Sequence, residues 1–208
     1  MTQPQNLTVY IDYKSPYAYL AKDLAYDLQR DCHVHLDWRP YILDIPSFLG
    51  SARIAADGTV LEQDRNPHQW RRARYSYMDC RRQARKRGLT IRATQKIWDS
   101  TLAAAGMLFA QQAGDAVFRH YHDTVFHRFW QRDLDIEDRD ALCRILADAG
   151  SDAARFPVQA ASLQAQVAAI SRSAEATGVF GVPTFVLAGE IYWGSEHLPD
   201  LRTALTAR

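Results

Sequence analysis

The chain has 208 residues, 47% hydrophobic and 24% charged, with 25 basic side chains against 24 acidic ones. That length suits one domain with room for an insertion, and the composition excludes collagen-like, low-complexity and disordered chains. A net charge of +1 gives no general reason to expect nucleic acid or an acidic membrane surface as the main partner.

Residues 7–13 alternate Leu, Val and Ile with Thr, Tyr and Asp, the pattern of a β-strand. Ser15-Pro16 ends it. Serine caps helices well and proline is tolerated at the first helical position, so a helix should open there and run through Ala18, Leu20, Ala21, Leu24, Ala25 and Leu28. A second strand is expected at residues 34–39. Residues 44–66 are rich in Pro, Gly, Ser and Asp and read as irregular structure.

From residue 69 to 156 apolar residues recur at steps of three and four, as packed amphipathic helices require. The first of these helices is basic, covers residues 68–87 and ends at Gly88. The second carries Ile97, Leu102, Ala105, Leu108 and Phe109; the third, Val117, Phe118, Tyr121, Val125 and Phe129; the fourth, Leu142, Ile145 and Leu146. A further helix over residues 159–177 leads into Gly181-Val182-Pro183-Thr184. A hairpin over 185–187 and 191–193 and a terminal helix from about Glu196 complete the chain.

Without the central helical block this order is βαβ followed by αββα, the connectivity of a thioredoxin-like α/β domain. Residues 1–43 and 157–208 are therefore assigned to that domain. Residues 44–156 are assigned to an inserted all-helical domain.

Cys32, Cys80 and Cys143 are the three cysteines. Their spacing forms no CxxC pair and no metal-ligand set, which points to free thiols in a reducing compartment. The N-terminal residues lack a basic start followed by a long apolar stretch, and no run approaches the roughly 18 apolar residues of a spanning helix. A soluble cytoplasmic protein is the expectation. His120, His122 and His127 do not share one helical face, and Asp133 to Asp140 match no calcium loop, so no metal is expected.

Two places stand out chemically. Ser15 has a plain reading as a helix cap and a second one as donor to an anion at the helix N-terminus; the two are compatible, because the cap uses the oxygen and leaves the proton free. Val182-Pro183 has a plain reading as a turn before a strand. A cis bond there would instead present the Val182 backbone to an extended, peptide-like ligand. The arginine-rich run from Arg71 to Arg87 reads chiefly as a solvated helix face, with one or two arginines open to a small carboxylate.

Asp12-Tyr13-Lys14-Ser15-Pro16-Tyr17-Ala18-Tyr19-Leu20-Ala21, Gly178-Val179-Phe180-Gly181-Val182-Pro183-Thr184-Phe185 and Trp193-Gly194-Ser195-Glu196-His197-Leu198 together resemble one family. It is that of the 2-hydroxychromene-2-carboxylate isomerases and kappa-class glutathione transferases, in the DsbA-like branch of the thioredoxin superfamily. The similarity spans nearly the whole chain, including Tyr77-Met78 through Gly88. The resemblance implies glutathione as cofactor, with Ser15 in place of the redox cysteine and contacting the glutathione sulfur. It implies that Val182 pairs its backbone with the cysteinyl unit beside cis Pro183, and that Gly194, Ser195 and Glu196 hold the γ-glutamyl end. Asn66, Arg74, Trp98 and Asp99 are expected to line a second-substrate pocket. A homodimer is implied as well. Glu196 and His197 stand where the family usually has Asp and Arg, and Trp98-Asp99-Ser100 replaces an Asn-Ser or Asn-Thr pair.

Serine at position 15 and alanine at position 18 exclude a dithiol cycle at this turn, so the reactive sulfur is expected from a ligand. A charge-assisted hydrogen bond contributes about 1.5–3 kcal/mol and a helix N-terminus about 0.3–1 kcal/mol. Together they suffice to turn a bound thiol, ordinarily near pH 8.5, largely into thiolate at neutral pH. The expected activity is reversible addition of that thiolate to a conjugated aromatic keto acid, a net isomerisation. The alternatives are conjugation or peroxide reduction by the same thiolate, or a glutathione-binding protein without catalysis.

Overall fold

The computed structural model describes residues 5–207. Strand β1 (Asn6–Ile11) leads into helix α1 (Pro16–Cys32) and strand β2 (His35–Pro40). After a short helix α2 (Ile45–Leu49) and a hairpin of β3 (Ala52–Ile54) and β4 (Val60–Gln63) come four helices, α3 (Pro67–Lys86), α4 (Thr101–Gln112), α5 (Asp115–Gln131) and α6 (Arg139–Asp148). The chain then forms α7 (Phe156–Ala176), β5 (Thr184–Leu187), β6 (Glu190–Trp193) and α8 (Leu198–Thr206).

The main sheet has the order β2-β1-β5-β6, with β1 and β2 parallel and the other neighbours antiparallel. Its register follows from apolar residues on the pleat. Val9 lies between Trp38 on β2 and Phe185 on β5, and all three side chains are buried. The first and last thirds of the chain thus supply the sheet jointly, and neither could complete it alone. One continuous hydrophobic core joins β1 and β5 to residues of α4, α5 and α6.

Residues 44–66 correct the expectation of irregular structure. Asp44 caps α2 by accepting from the Ser47 N–H, and β3 pairs with β4. Every β4 residue is exposed, so this hairpin has no buried face to impose alternation on its sequence. Ile97 also falls outside the second long helix, which begins only at Thr101. Helix α3 buries Ala73, Cys80 and Ala84 and turns Arg71, Arg72, Arg74, Arg81, Arg82 and Arg85 to solvent, the solvated basic face that its periodicity implies.

A buried aromatic cluster anchors the helices to the end of β1. Tyr13 hydroxyl and His122 Nδ1 are 3.0 Å apart, and the Trp130 indole N–H donates to the Tyr13 carbonyl at 3.1 Å. Burial, and then the charges of Lys22 and Arg119, hold the His122 pKa well below the ordinary histidine value. No described helix is long and apolar enough to cross a membrane, and no group of His, Cys, Asp and Glu among the described residues is arranged to hold a metal.

Candidate functional site

The site begins where β1 becomes α1. Ser15 has extended backbone angles, and its Oγ accepts the Ala18 N–H at 3.2 Å, so it caps α1 as its position before proline predicts. The hydroxyl is not free to point outward, however. Its proton is directed at the Val182 carbonyl, 3.4 Å away, and the residue is only 3% exposed. Burial explains this correction: a hydroxyl removed from water turns to the nearest acceptor.

Val182-Pro183 is a cis bond. The Pro183 carbonyl accepts the Gly194 N–H at 2.9 Å, which places the start of the Gly194-Ser195-Glu196 segment beside the cis bond. Gly194 has a φ of 99°, and the Glu196 carboxylate folds so closely over it that a Cβ at this position would collide with the carboxylate oxygens. Ser15, Val182, Pro183 and Gly194 therefore meet at one end of the sheet, with Glu196 above Gly194 and Ser195 next in the chain. His197 pairs with Asp200 at 3.4 Å.

The other expected residues each make local contacts of their own. Asn66 caps α3, accepting from His68 and Gln69, while the Gln69 side chain accepts the Asn66 N–H. Asn66 to Gln69 thus forms a capping box whose N-x-x-Q signature is plain in the sequence. Arg74 is exposed and lies over the Trp70 ring, 5.7 Å from its centroid. Trp98 meets Phe129 edge-on and carries Lys96 over its ring at 4.3 Å. Asp99 is exposed and caps its own turn through the Thr101 N–H at 2.9 Å.

Sequence reasoning missed the charged pair beneath the turn. Asp12 and Lys14 form a buried ion pair at 2.8 Å, and Lys14 Nζ also donates to Ser100 Oγ at 3.0 Å. The Asp12 carboxylate accepts two further bonds, from the Lys14 and Leu43 N–H groups. This cluster ties the Ser15 turn to the start of α4. Its only sequence signal is a D-x-K triplet directly before Ser15.

A second link is Tyr17, whose hydroxyl donates to Asp79 at 3.3 Å and lies against Cys80. Burial raises the Tyr17 pKa and pushes the Cys80 thiol up to about 12. Cys80 is thus a protonated packing group at neutral pH and no nucleophile. The geometry around Ser15 offers instead a helix N-terminus, a hydroxyl, and a cis-proline backbone edge, a set suited to an anionic atom on a short extended ligand.

Comparison with known proteins agrees with this layout. The chain is 28% identical over 205 residues to a 2-hydroxychromene-2-carboxylate isomerase of Sphingobium xenophagum, a match covering 97% of this chain and 98% of that protein. Among solved structures, a 2-hydroxychromene-2-carboxylate isomerase superposes with a TM-score of 0.72 at 22% identity, covering 97% of this chain and 95% of that one. A probable DsbA oxidoreductase of Streptomyces coelicolor gives 0.74 at 18% identity, over 98% and 89% of the two chains. The cytosolic disulfide reductase DsbM of Pseudomonas aeruginosa, solved with GSH, gives 0.61 at 20% identity, over 97% and 98%. The family model for a DSBA-like thioredoxin domain matches residues 6–206. With its sheet order, its cis Pro183 and its strand-to-helix turn at Ser15, the chain belongs to the DsbA-like thioredoxin family.

Proposed function

We propose that this protein is a glutathione-dependent isomerase in which bound glutathione thiolate adds reversibly to a conjugated aromatic keto acid. The observation that carries the reading is the contact of Ser15 with Val182 beside a cis proline, at a turn that has no cysteine. The likeness to a 2-hydroxychromene-2-carboxylate isomerase supports the reaction class, and the structural neighbour solved with GSH supports the ligand.

In this mechanism the cysteinyl unit pairs with the Val182 backbone, and the Ser15 hydroxyl rotates from the Val182 carbonyl to the sulfur. The thiolate forms a C–S bond at the alkene carbon β to the ketone, and the displaced electron pair becomes an enolate. The former double bond, now single, rotates. Collapse of the enolate re-forms the alkene and expels the thiolate, so no glutathione is consumed and no oxidant is needed. Ser195 and Glu196 hold the γ-glutamyl end. Asn66, Arg74, Trp98 and Asp99 would line the pocket that orients the second substrate. A cytoplasmic homodimer belongs to the same reading.

The test is incubation with millimolar glutathione and a panel of conjugated aromatic keto acids, aryl halides and hydroperoxides. Isomerised keto acid with undiminished glutathione supports the proposal. Consumption of glutathione with the halides or hydroperoxides instead makes the protein a transferase or peroxidase. Failure of glutathione to shift the thermal midpoint or bind in calorimetry removes the reading at its first step.

A further inference from the structure

Phe180 and Trp193 stand open to solvent beside the Ser15–Val182 contact, 63% and 48% exposed. Their ring centroids are 4.9 Å apart with planes tilted by 51°. Trp193 pairs with Thr184 across the β5–β6 ladder, while the following residue, Gly194, bonds the Pro183 carbonyl. Phe180 is two residues before Val182. The two rings are thus held by both flanks of the cis bond.

The indole is seated rather than loose. A Cβ at Gly181 would lie 2.7 Å from Trp193 Nε1, 3.3 Å from Cε2 and 3.5 Å from Cδ1. Those atoms form the pyrrole edge, so the polar edge of the ring lies against the backbone and the apolar benzo ring is turned away from it. Gly181 is not among the residues of positive φ; a Cβ there would meet the indole without straining the backbone. Exposed aromatic surface held in one orientation beside a polar site is costly in water and typical of a binding surface. Pre-ordering also lowers the entropy lost when a ring docks on it.

We propose that Phe180 and Trp193 form a stacking platform for the aromatic ring of the second substrate, making the site selective for aryl-conjugated over alkyl-conjugated acceptors. The platform is two residues from the backbone that faces the thiolate, whereas the Trp98 indole is already occupied by Phe129 and Lys96. The reaction served rests on the glutathione-isomerase reading; ring recognition does not.

The experiment compares the wild type with Trp193→Leu, Phe180→Leu and Gly181→Ala. The probes are benzylidene pyruvate, as an aryl-conjugated 2-keto acid, and an alkylidene pyruvate of similar length. Each variant is expected to raise KM for the aryl acid about 3- to 10-fold, the worth of an aromatic pair, and to leave the alkyl acid and glutathione affinity within about twofold. Gly181→Ala should reproduce the loss with both rings retained, because it displaces the indole. Equal losses on both acids, or no loss on either, overturn the platform. If Trp193→Leu does not fold, the exposed Phe180→Leu change carries the comparison. If glutathione does not bind at all, the isomerase reading falls, and the platform is judged by quenching of tryptophan fluorescence by the aryl acid alone. Quenching that is lost in Trp193→Leu supports it, and absence of quenching overturns it. Capture of an aromatic peptide, with no binding of the aryl acid, would assign the surface to polypeptides and also overturn it.

Discussion

The Ser15 hydroxyl donates to the main-chain carbonyl of Val182 across 3.4 Å, joining positions separated by 167 residues. The same oxygen caps α1. One side chain therefore holds a helix and closes the gap between β1 and the cis-proline segment, and under the proposed function its proton turns to the glutathione sulfur. Ser15→Ala is expected to lower stability by about 1 kcal/mol through loss of the cap and to lower isomerase turnover roughly 10- to 100-fold through loss of the thiolate hydrogen bond. Chemical denaturation and steady-state rates measure the two effects separately.

Asp12 and Lys14 are buried together, with side chains 0% and 5% exposed. Removing one partner leaves a charge in a poorly solvated place. Lys14→Met should cost about 3–5 kcal/mol, and the double change Asp12→Asn with Lys14→Met should cost less than the two single changes added together. Urea unfolding of the four proteins gives the coupling; additive effects would deny the pair its role.

His122 is kept neutral by burial and by the nearby charges of Lys22 and Arg119. The unfolded chain takes up a proton near pH 6.5 that the folded chain refuses, so unfolding gains protons as pH falls. Its contribution to stability is whole above about pH 6.5 and declines below it, at up to about 1.4 kcal/mol per pH unit. His122→Phe should flatten the stability profile between about pH 6.5 and 5. An unchanged slope there would mean that His122 accepts its proton in the folded state.

Burial raises the Cys80 thiol to about 12. In the folded protein at neutral pH, Cys80 should therefore resist iodoacetamide, and it should react once the chain is unfolded in urea. Peptide mass spectrometry reads both states, and rapid labelling of native Cys80 would contradict the packing around Tyr17.

The capping box at Asn66 gives a contrast between cap and substrate contact. Asn66→Ala is expected to cost about 1 kcal/mol, and Asn66→Ser to recover most of it, since serine caps nearly as well. If turnover falls equally in both variants while stability recovers only in the second, Asn66 reaches the second substrate as well as capping α3.

Much of this molecule is legible in short stretches of sequence because the forces concerned act over a few residues. Ser15-Pro16 opens α1, and apolar steps of three and four mark the buried faces of α4, α5 and α6. The motifs around Ser15 and Val182 also carry the family. The β3–β4 hairpin is not legible, because an exposed ribbon has no buried face to write an alternating pattern. Nor does spacing reveal that Trp98 packs on Phe129 and Lys96, or that Asp99 caps its own turn.

The sequence by itself determined the long helices and the strands of the main sheet, their order around a helical insertion, and the absence of a dithiol at the Ser15 turn, all consequences of local backbone preference, periodicity and residue chemistry. Only the tertiary structure decided that the Ser15 proton faces Val182, that Lys14 is clamped between Asp12 and Ser100, and that Trp193 rests on Gly181. The Ser15–Val182, Lys14–Ser100 and Trp193–Gly181 contacts join segments separated in the chain, set by which groups are driven together when the core closes and water leaves, and no window of a few residues contains both partners.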